Sequence, residues 1–178
     1  MYKDRSMNFM KLGAQEEKST LEEFKLHRMI WIVPLYEEPA AEAKGKNAKI
    51  LLLERKAEDD LYPRALNLVT GHIHEGEEVA HAIRRELQEE VGVPISDAVY
   101  GGTYLTVDNT NVFIVNCFVA WLENTEVKLT EHKNYHFVDF EYFAHNIKDY
   151  NLTPPEKITL MIHIDEIRRA MRKHSSSE

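Results

Sequence analysis

An α+β sandwich is the fold class that the sequence predicts. Three observations carry it: six apolar runs of strand type stand against two helical segments, two of the runs are joined by a tight turn, and no regular strand–helix alternation exists of the kind a doubly wound parallel sheet needs. The 178 residues suit one domain, long enough to bury roughly 70% of the surface that the unfolded chain would expose. No stretch repeats with a period of 20–50 residues, which excludes a solenoid or propeller.

In chain order, residues 1–25 are polar and of mixed charge and read as an N-terminal arm or tail. Residues 26–173 form the single domain, and 174–178, ending in three serines and Glu178, read as a frayed C-terminus. Within the domain, Arg28–Tyr36 and Lys49–Arg55 are the first two strands. The connection between them carries Pro39, Gly45 and several alanines and is read as a mobile surface loop. Ala65–Val69 is a short third run. Val99–Val107 and Val112–Leu122 flank an Asp-Asn-Thr-Asn turn and read as a hairpin, and Tyr135–Phe140 is the last strand. Glu77–Val91 lacks proline and internal glycine and meets Gly92 and Pro94 just beyond its end, the usual stop for a helix. A second helix is expected over Pro155–Arg172, started by the Pro154–Pro155 pair, with Ile158, Met161, Ile162, Ile164 and Ile167 as its apolar stripe.

Composition narrows the function classes. Lys+Arg is 22 against Asp+Glu 30, a formal net charge of −8, which argues against a partner such as a nucleic-acid polymer held by a basic surface. The longest apolar runs fall far short of the ~20 residues of a membrane span, and the first residues lack the apolar core of a secretory signal. With Cys117 as the single cysteine, no intramolecular disulfide and no cysteine-built zinc site can form. A cytoplasmic setting without membrane partners is expected. The aromatic residues lie mostly in strands, where core packing is the expected role, and Cys117 in its apolar strand reads as a small buried hydrophobe.

The informative stretch is Gly71–Val93, GHIHEGEEVAHAIRRELQEEVGV. At 100° per residue, Glu86, Glu89 and Glu90 share about one third of the helix circumference, beside an apolar sector of Ala80, Ile83 and Leu87. Like charges at that spacing repel by a few tenths of a kcal/mol per pair. Such a cluster is either a solvated acidic face or an oxygen-donor set for a hard divalent cation, which favours carboxylates and bridges to phosphate oxygens.

The whole stretch resembles the signature of the Nudix family, Gly-x5-Glu-x7-Arg-Glu-U-x-Glu-Glu-x-Gly-U, where U is apolar. Gly71, Glu77, Arg85, Glu86, Leu87, Glu89, Glu90, Gly92 and Val93 fill every specified position. A chance match over the chain is on the order of one in a million. The resemblance implies a Nudix-type αβα sandwich with a mixed sheet and a loop–helix–loop catalytic motif. It implies that Glu86, Glu89 and Glu90 ligate Mg2+ or Mn2+, with Arg85 in the catalytic constellation. Glu77 is then either a further acidic member of the metal site or the partner of Arg85, whose planar fork suits a fixed carboxylate. Gly71 and Gly92 are structural positions where a side chain would obstruct. The general base is either a carboxylate of the box helix or Glu131 on the loop before the last strand.

The activity so implied is that of a Mg2+-dependent hydrolase. Water would attack one phosphorus of a nucleoside diphosphate linked to another moiety, whether a nucleoside triphosphate, a deoxynucleoside triphosphate or a nucleotide sugar. Its partner would be that small diphosphate substrate, and a homodimer accords with the family. A ligand-binding or regulatory module without turnover is the alternative, although such modules typically lose box carboxylates and here all are present. Residues around the box point two ways. Val69-Thr70 in place of Pro-Gly before Gly71 is similar to hydrolases of dihydroneopterin triphosphate or deoxynucleoside triphosphates. His27-Arg28, Asp60-Leu61-Tyr62-Pro63 and Gly71-His72-Ile73 are similar to the isopentenyl-diphosphate-isomerase-like branch. Isomerase activity itself is disfavoured, because its cysteine motif is absent. His72 and His74 alternate about Ile73, and without a third spaced ligand they do not make a zinc site.

Overall fold

The computed structural model describes residues 25–38, 48–108 and 111–175. The N-terminal arm, most of the loop between the first two strands and the tip of the predicted hairpin turn lie outside the described residues.

The sheet is built on β1 (Lys25–Glu37). Its apolar run is continuous because both faces are covered, as expected of a central strand. Ile30 and Ile32 are buried toward one layer, Trp31, Val33 and Leu35 toward the other. Along its length β1 runs parallel to β6 (Asn111–Leu122), from Lys25 opposite Asn111 to Leu35 opposite Trp121. On its other side it pairs antiparallel with two strands in succession. The first half takes β4 (Val69–His72), with Trp31 opposite Thr70, and the C-terminal end takes β2 (Ala48–Glu54), with Leu35 opposite Ile50. The sheet is completed by the short β3 (Leu66–Asn67) and by β7 (Asn134–Asp139), both against β2, and by β5 (Ile95–Asp108), antiparallel to β6. Parallel and antiparallel pairs coexist, so the sheet is mixed.

Helix α1 (Val79–Glu90) covers one face through Ala82, Ile83 and Leu87. The other face is covered by α2 (Phe140–His145), a 3-10 turn at Ile147–Asp149 and α3 (Pro154–Ser175). The expected α+β sandwich, with helices on both faces of a mixed sheet, is therefore the observed one.

Several elements differ in detail from the sequence reading. The single run 65–69 is two strands, because the chain turns at Leu68 from its pairing with β2 to its pairing with β1. The Tyr135–Phe140 strand stops one residue early: Asp139 accepts a hydrogen bond from Tyr142 N at 2.8 Å and starts α2. The apolar stripe assigned to the last helix splits. Leu160, Ile167 and Ala170 form its buried face, whereas Ile158 and Ile162 are 61% and 66% exposed. That helix also continues through His174, whose ring stacks on Trp121 at a centroid distance of 4.0 Å. Among the described residues no helix is long and apolar enough to cross a membrane.

Candidate functional site

The carboxylates gather where β4 hands the chain to α1. The segment His74–Glu78 turns before the helix begins, so Glu77 stands outside the first helical turn. Its Oε2 accepts from His74 N at 2.9 Å, which fixes the turn. Its two oxygens also accept from Arg85, Oε1 from Nε at 2.9 Å and Oε2 from Nη2 at 3.0 Å. This fork-to-fork pairing is the strong geometry for arginine and carboxylate. It holds the Glu77 carboxyl down to about 2 and raises the guanidinium further above its already high range.

Arg85 spends its remaining donors on the same site. Nη1 reaches Glu86 Oε1 at 2.7 Å and Glu89 Oε2 at 3.2 Å, and Nη2 also reaches His72 O at 2.8 Å. One guanidinium thereby ties the end of β4, the turn and the helix together. Glu77 thus contacts Arg85, which is one of the two roles the sequence leaves open to it.

Glu86 and Glu90 are buried, and Glu89 is exposed at the rim. Glu86 lies over Gly71, where an added Cβ would stand 1.9 Å from the carboxylate. A glycine there is a steric requirement of the site, not of its own backbone. Glu90 Oε1 accepts from Thr70 N at 3.3 Å. Burial pushes the Glu90 carboxyl up to about 8, and the charges of Glu86, Glu131 and Glu89 add to the shift. A carboxyl in that state is short of positive charge around it.

The loop after β6 closes the site from the C-terminal end of α1. Gly92, at φ +66°, lets the chain leave the helix in the left-handed conformation, its N–H returning to Leu87 O at 2.9 Å. Lys128 N donates to Val91 O at 2.8 Å, and the Thr130 hydroxyl donates to Glu89 O. These bonds bring Glu131 into electrostatic reach of Glu90 and set the buried His132 Nδ1 3.7 Å from Glu90 Oε2. No described residue hydrogen-bonds that nitrogen, and burial lowers the imidazole's affinity for a proton. The sequence reading assigned His132 no role. It lies 42 residues from Glu90, and only the loop's attachment to α1 makes them neighbours.

The structure thus joins Glu77, Arg85, Glu86 and Glu89 in one network and sets Glu90 and Glu131 within electrostatic reach of it. Among the described residues no group of three acidic, histidine or cysteine side chains is already drawn into a metal-holding cage. The donor set nonetheless suits a hard cation. It is all oxygen, carries negative charge in excess of the single guanidinium, and includes a buried carboxyl that lacks compensation. Mg2+ in particular keeps several waters and is usually held by one or two carboxylates with substrate phosphates, so it does not need a closed protein cage. A larger groove of about 520 Å3 lies between α1 and β5, lined by Val79, Ile83, Asp97 and Phe118, and none of the carboxylates reaches it.

The chain is similar to known proteins along most of its described length. The family model described as NUDIX domain matches residues 28–159. Among solved structures, the chain is similar to the MutT protein from Methanosarcina mazei Go1, at 20% identity and a TM-score of 0.59, covering 87% of this chain and 99% of that one. It is similar to the NUDIX domain of Shewanella oneidensis NrtR complexed with ADP ribose, at 15% identity and a TM-score of 0.57, covering 84% and 88%. A C. elegans Ap4A hydrolase binary complex is matched at 24% identity and a TM-score of 0.51, covering 70% and 87%. No curated protein matches the chain.

Proposed function

The chain belongs to the Nudix family, hydrolases of pyrophosphate bonds, and on that premise we propose that it cleaves a phosphoanhydride bond of a nucleoside diphosphate linked to another moiety, with Mg2+ or Mn2+ held by Glu86, Glu89 and Glu90. The observation that carries the reading is the convergence of Glu77, Glu86 and Glu89 on one guanidinium, with Gly71 leaving room for the Glu86 carboxylate. A divalent cation at such a site neutralises charge on phosphoryl oxygens and acidifies a bound water.

The chain's own residues prepare the site. Arg85 holds Glu86 and Glu89 within reach of a common point, and Glu77 holds Arg85. Thr70 N–H orients Glu90, whose burial raises its affinity for positive charge. The general base is a carboxylate of this group or Glu131, which stands exposed on the closing loop. A MutT protein and an Ap4A hydrolase among the structural neighbours accord with a nucleotide-derived substrate.

The test is a panel of nucleoside and deoxynucleoside triphosphates, dihydroneopterin triphosphate, ADP-ribose, nucleotide sugars and dinucleoside polyphosphates with Mg2+. Released phosphate and pyrophosphate are resolved, and Glu86→Gln is assayed alongside. Turnover that EDTA abolishes, excess Mg2+ restores and Glu86→Gln lacks is the expected result. Turnover indifferent to chelation would overturn the metal reading, and silence across the panel would favour a binding module.

A further inference from the structure

Among the described residues, three buried side-chain atoms have no hydrogen-bond partner: Asn67 Oδ1, Glu166 Oε2 and His132 Nδ1. The third stands 3.7 Å from Glu90 Oε2, with the His132 side chain 8% exposed and that of Glu90 9%. That separation is too long for a hydrogen bond, since a charge-assisted N–H···O bond closes at about 2.7–2.9 Å. An imidazole buried with an idle nitrogen is a costly way to fill space. An aliphatic or phenyl side chain would occupy the same volume and leave no polar atom unserved. The idle nitrogen is also aimed at a carboxylate of the proposed cation site.

The backbone on both sides of His132 is fastened. Before it, the Thr130 hydroxyl donates to Glu89 O and ties the loop to the last turn of α1. After it, Lys133 N donates to Glu54 O at 2.8 Å and ties the loop to the end of β2. Glu90 is held more lightly. Thr70 N reaches its Oε1 at 3.3 Å, long for a bond of this kind, and Oε2 is the oxygen that faces the ring. A carboxylate that holds a cation is oriented by donors on its remaining lone pairs, and losing such a donor weakens the metal site. A neutral imidazole carries one N–H, and the nitrogen that bears it is set by what each nitrogen faces. Facing a carboxylate, Nδ1 is the donor.

We propose that His132 is a positioning residue for the cation site, its Nδ1–H donating to Glu90 Oε2 once the cation is bound. Glu90 is then held by Thr70 N–H on one oxygen and by the ring on the other, and its rotation is fixed. The inference rests on the hydrolase reading for the presence of the cation. Closing the gap takes a movement of about 1 Å. Each carboxylate oxygen keeps a further lone pair for the metal after accepting its bond. Direct coordination by Nδ1 is the competing role. The surrounding donors are all oxygen, the set a hard cation prefers, which favours the ring as a support and not as a ligand.

The experiment is Mn2+ binding to the full chain, read from the electron paramagnetic resonance of free Mn2+, for the wild type, His132→Asn, His132→Gln and His132→Ala. The amide nitrogen of asparagine overlays Nδ1 of histidine, whereas that of glutamine overlays Nε2. His132→Asn is expected to bind within about threefold of the wild type, and the glutamine and alanine variants about 10- to 100-fold more weakly. In a Glu90→Ala background the alanine replacement at 132 should change affinity by less than about twofold, because the ring then has no carboxylate to hold. The 15N signals of the His132 ring, identified by their loss in His132→Asn, should show Nδ1 protonated in the Mg2+-loaded protein. Equal weakening by all three replacements, weakening by none, an alanine effect that persists without Glu90, or an unprotonated Nδ1 would each overturn the proposal. The comparison of asparagine with glutamine stands even if the alanine variant misfolds. Glu86→Gln is titrated alongside. Weak binding there beside wild-type binding in His132→Ala overturns the positioning role alone, and a wild type that binds no Mn2+ removes the cation reading together with this inference.

Discussion

Gly71 lies so close beneath Glu86 that a Cβ on the glycine would meet the carboxylate at 1.9 Å. The clash is with the far end of a side chain, so Gly71→Ala is expected to fold and to displace Glu86. Activity should fall by about 100-fold or more while the unfolding midpoint moves little. A fully active alanine variant would show that Glu86 is not needed where it stands.

Glu86→Gln and Glu89→Gln should each lower kcat by about two orders of magnitude or more, because charge that compensates a cation acts directly on the transition state. Stability should change by less than about 1 kcal/mol, since relief of carboxylate repulsion offsets the lost contacts with Arg85. Steady-state kinetics and urea denaturation of the same preparations separate the two effects.

Arg85→Lys removes the planar fork and keeps the charge. It should cost about 1–2 kcal/mol of stability and most of the activity, because an ammonium cannot serve Glu77, Glu86 and His72 O at once. The held-down carboxyl of Glu77 supports folding above about pH 4.5 and loses that effect as pH falls through about 2. The lysine variant should accordingly lose less of its stability on acidification, as read from midpoints between pH 5 and 2.

Glu156 titrates with the opposite sign. Burial raises its proton affinity, so the folded protein binds more protons than the unfolded chain between about pH 4.5 and 7. Its contribution is complete below that interval and is lost as pH rises through about 7, by up to about 3 kcal/mol. Glu156→Gln should therefore be more stable than the wild type at pH 8.5 and not at pH 5. A wild type that is the more stable at pH 8.5 would contradict this sign.

Cys117 is buried on β6 and burial pushes its thiol up to about 12. A thiol-specific reagent at pH 8 should leave it unmodified in the native protein and label it fully in urea. Labelling at the native rate of a free thiol would place β6 differently.

The Gly71–Val93 motif was legible because its information is local. The spacing of Glu86, Glu89 and Glu90 follows from the helix repeat and the stop at Gly92 from its backbone freedom, whereas Glu77 was left between the metal site and Arg85. Features set by distant segments were not legible. Whether Glu156 completes a capping box depends on Leu66 O taking the Thr153 N–H, and whether His132 meets Glu90 depends on a loop bonded to the end of α1. The break of one apolar run into β3 and β4 depends on two different partner strands. Ile158 and Ile162 show the same limit from the other side: their spacing is that of a buried stripe, and no described element covers the face they form.

The parallel pairing of β1 with β6 sets the order in which the molecule can be assembled. Lys25 meets Asn111, 86 residues later, and without that partner the central strand has one long edge open. At 5–20 residues per second, roughly 4 to 17 s of synthesis separate the two strands. During that interval β2 and β4 are the described strands that can hold β1, and a run as apolar as Met29–Leu35 is a surface for chaperones or for another nascent chain. The β4 residues that seat Glu86 and Glu90 are anchored to this same strand, so whatever captures β1 in that interval also holds the site. Substitutions that slow the joining of β1 and β6 should therefore reduce soluble yield at elevated growth temperature before they alter the activity of the molecules that complete folding.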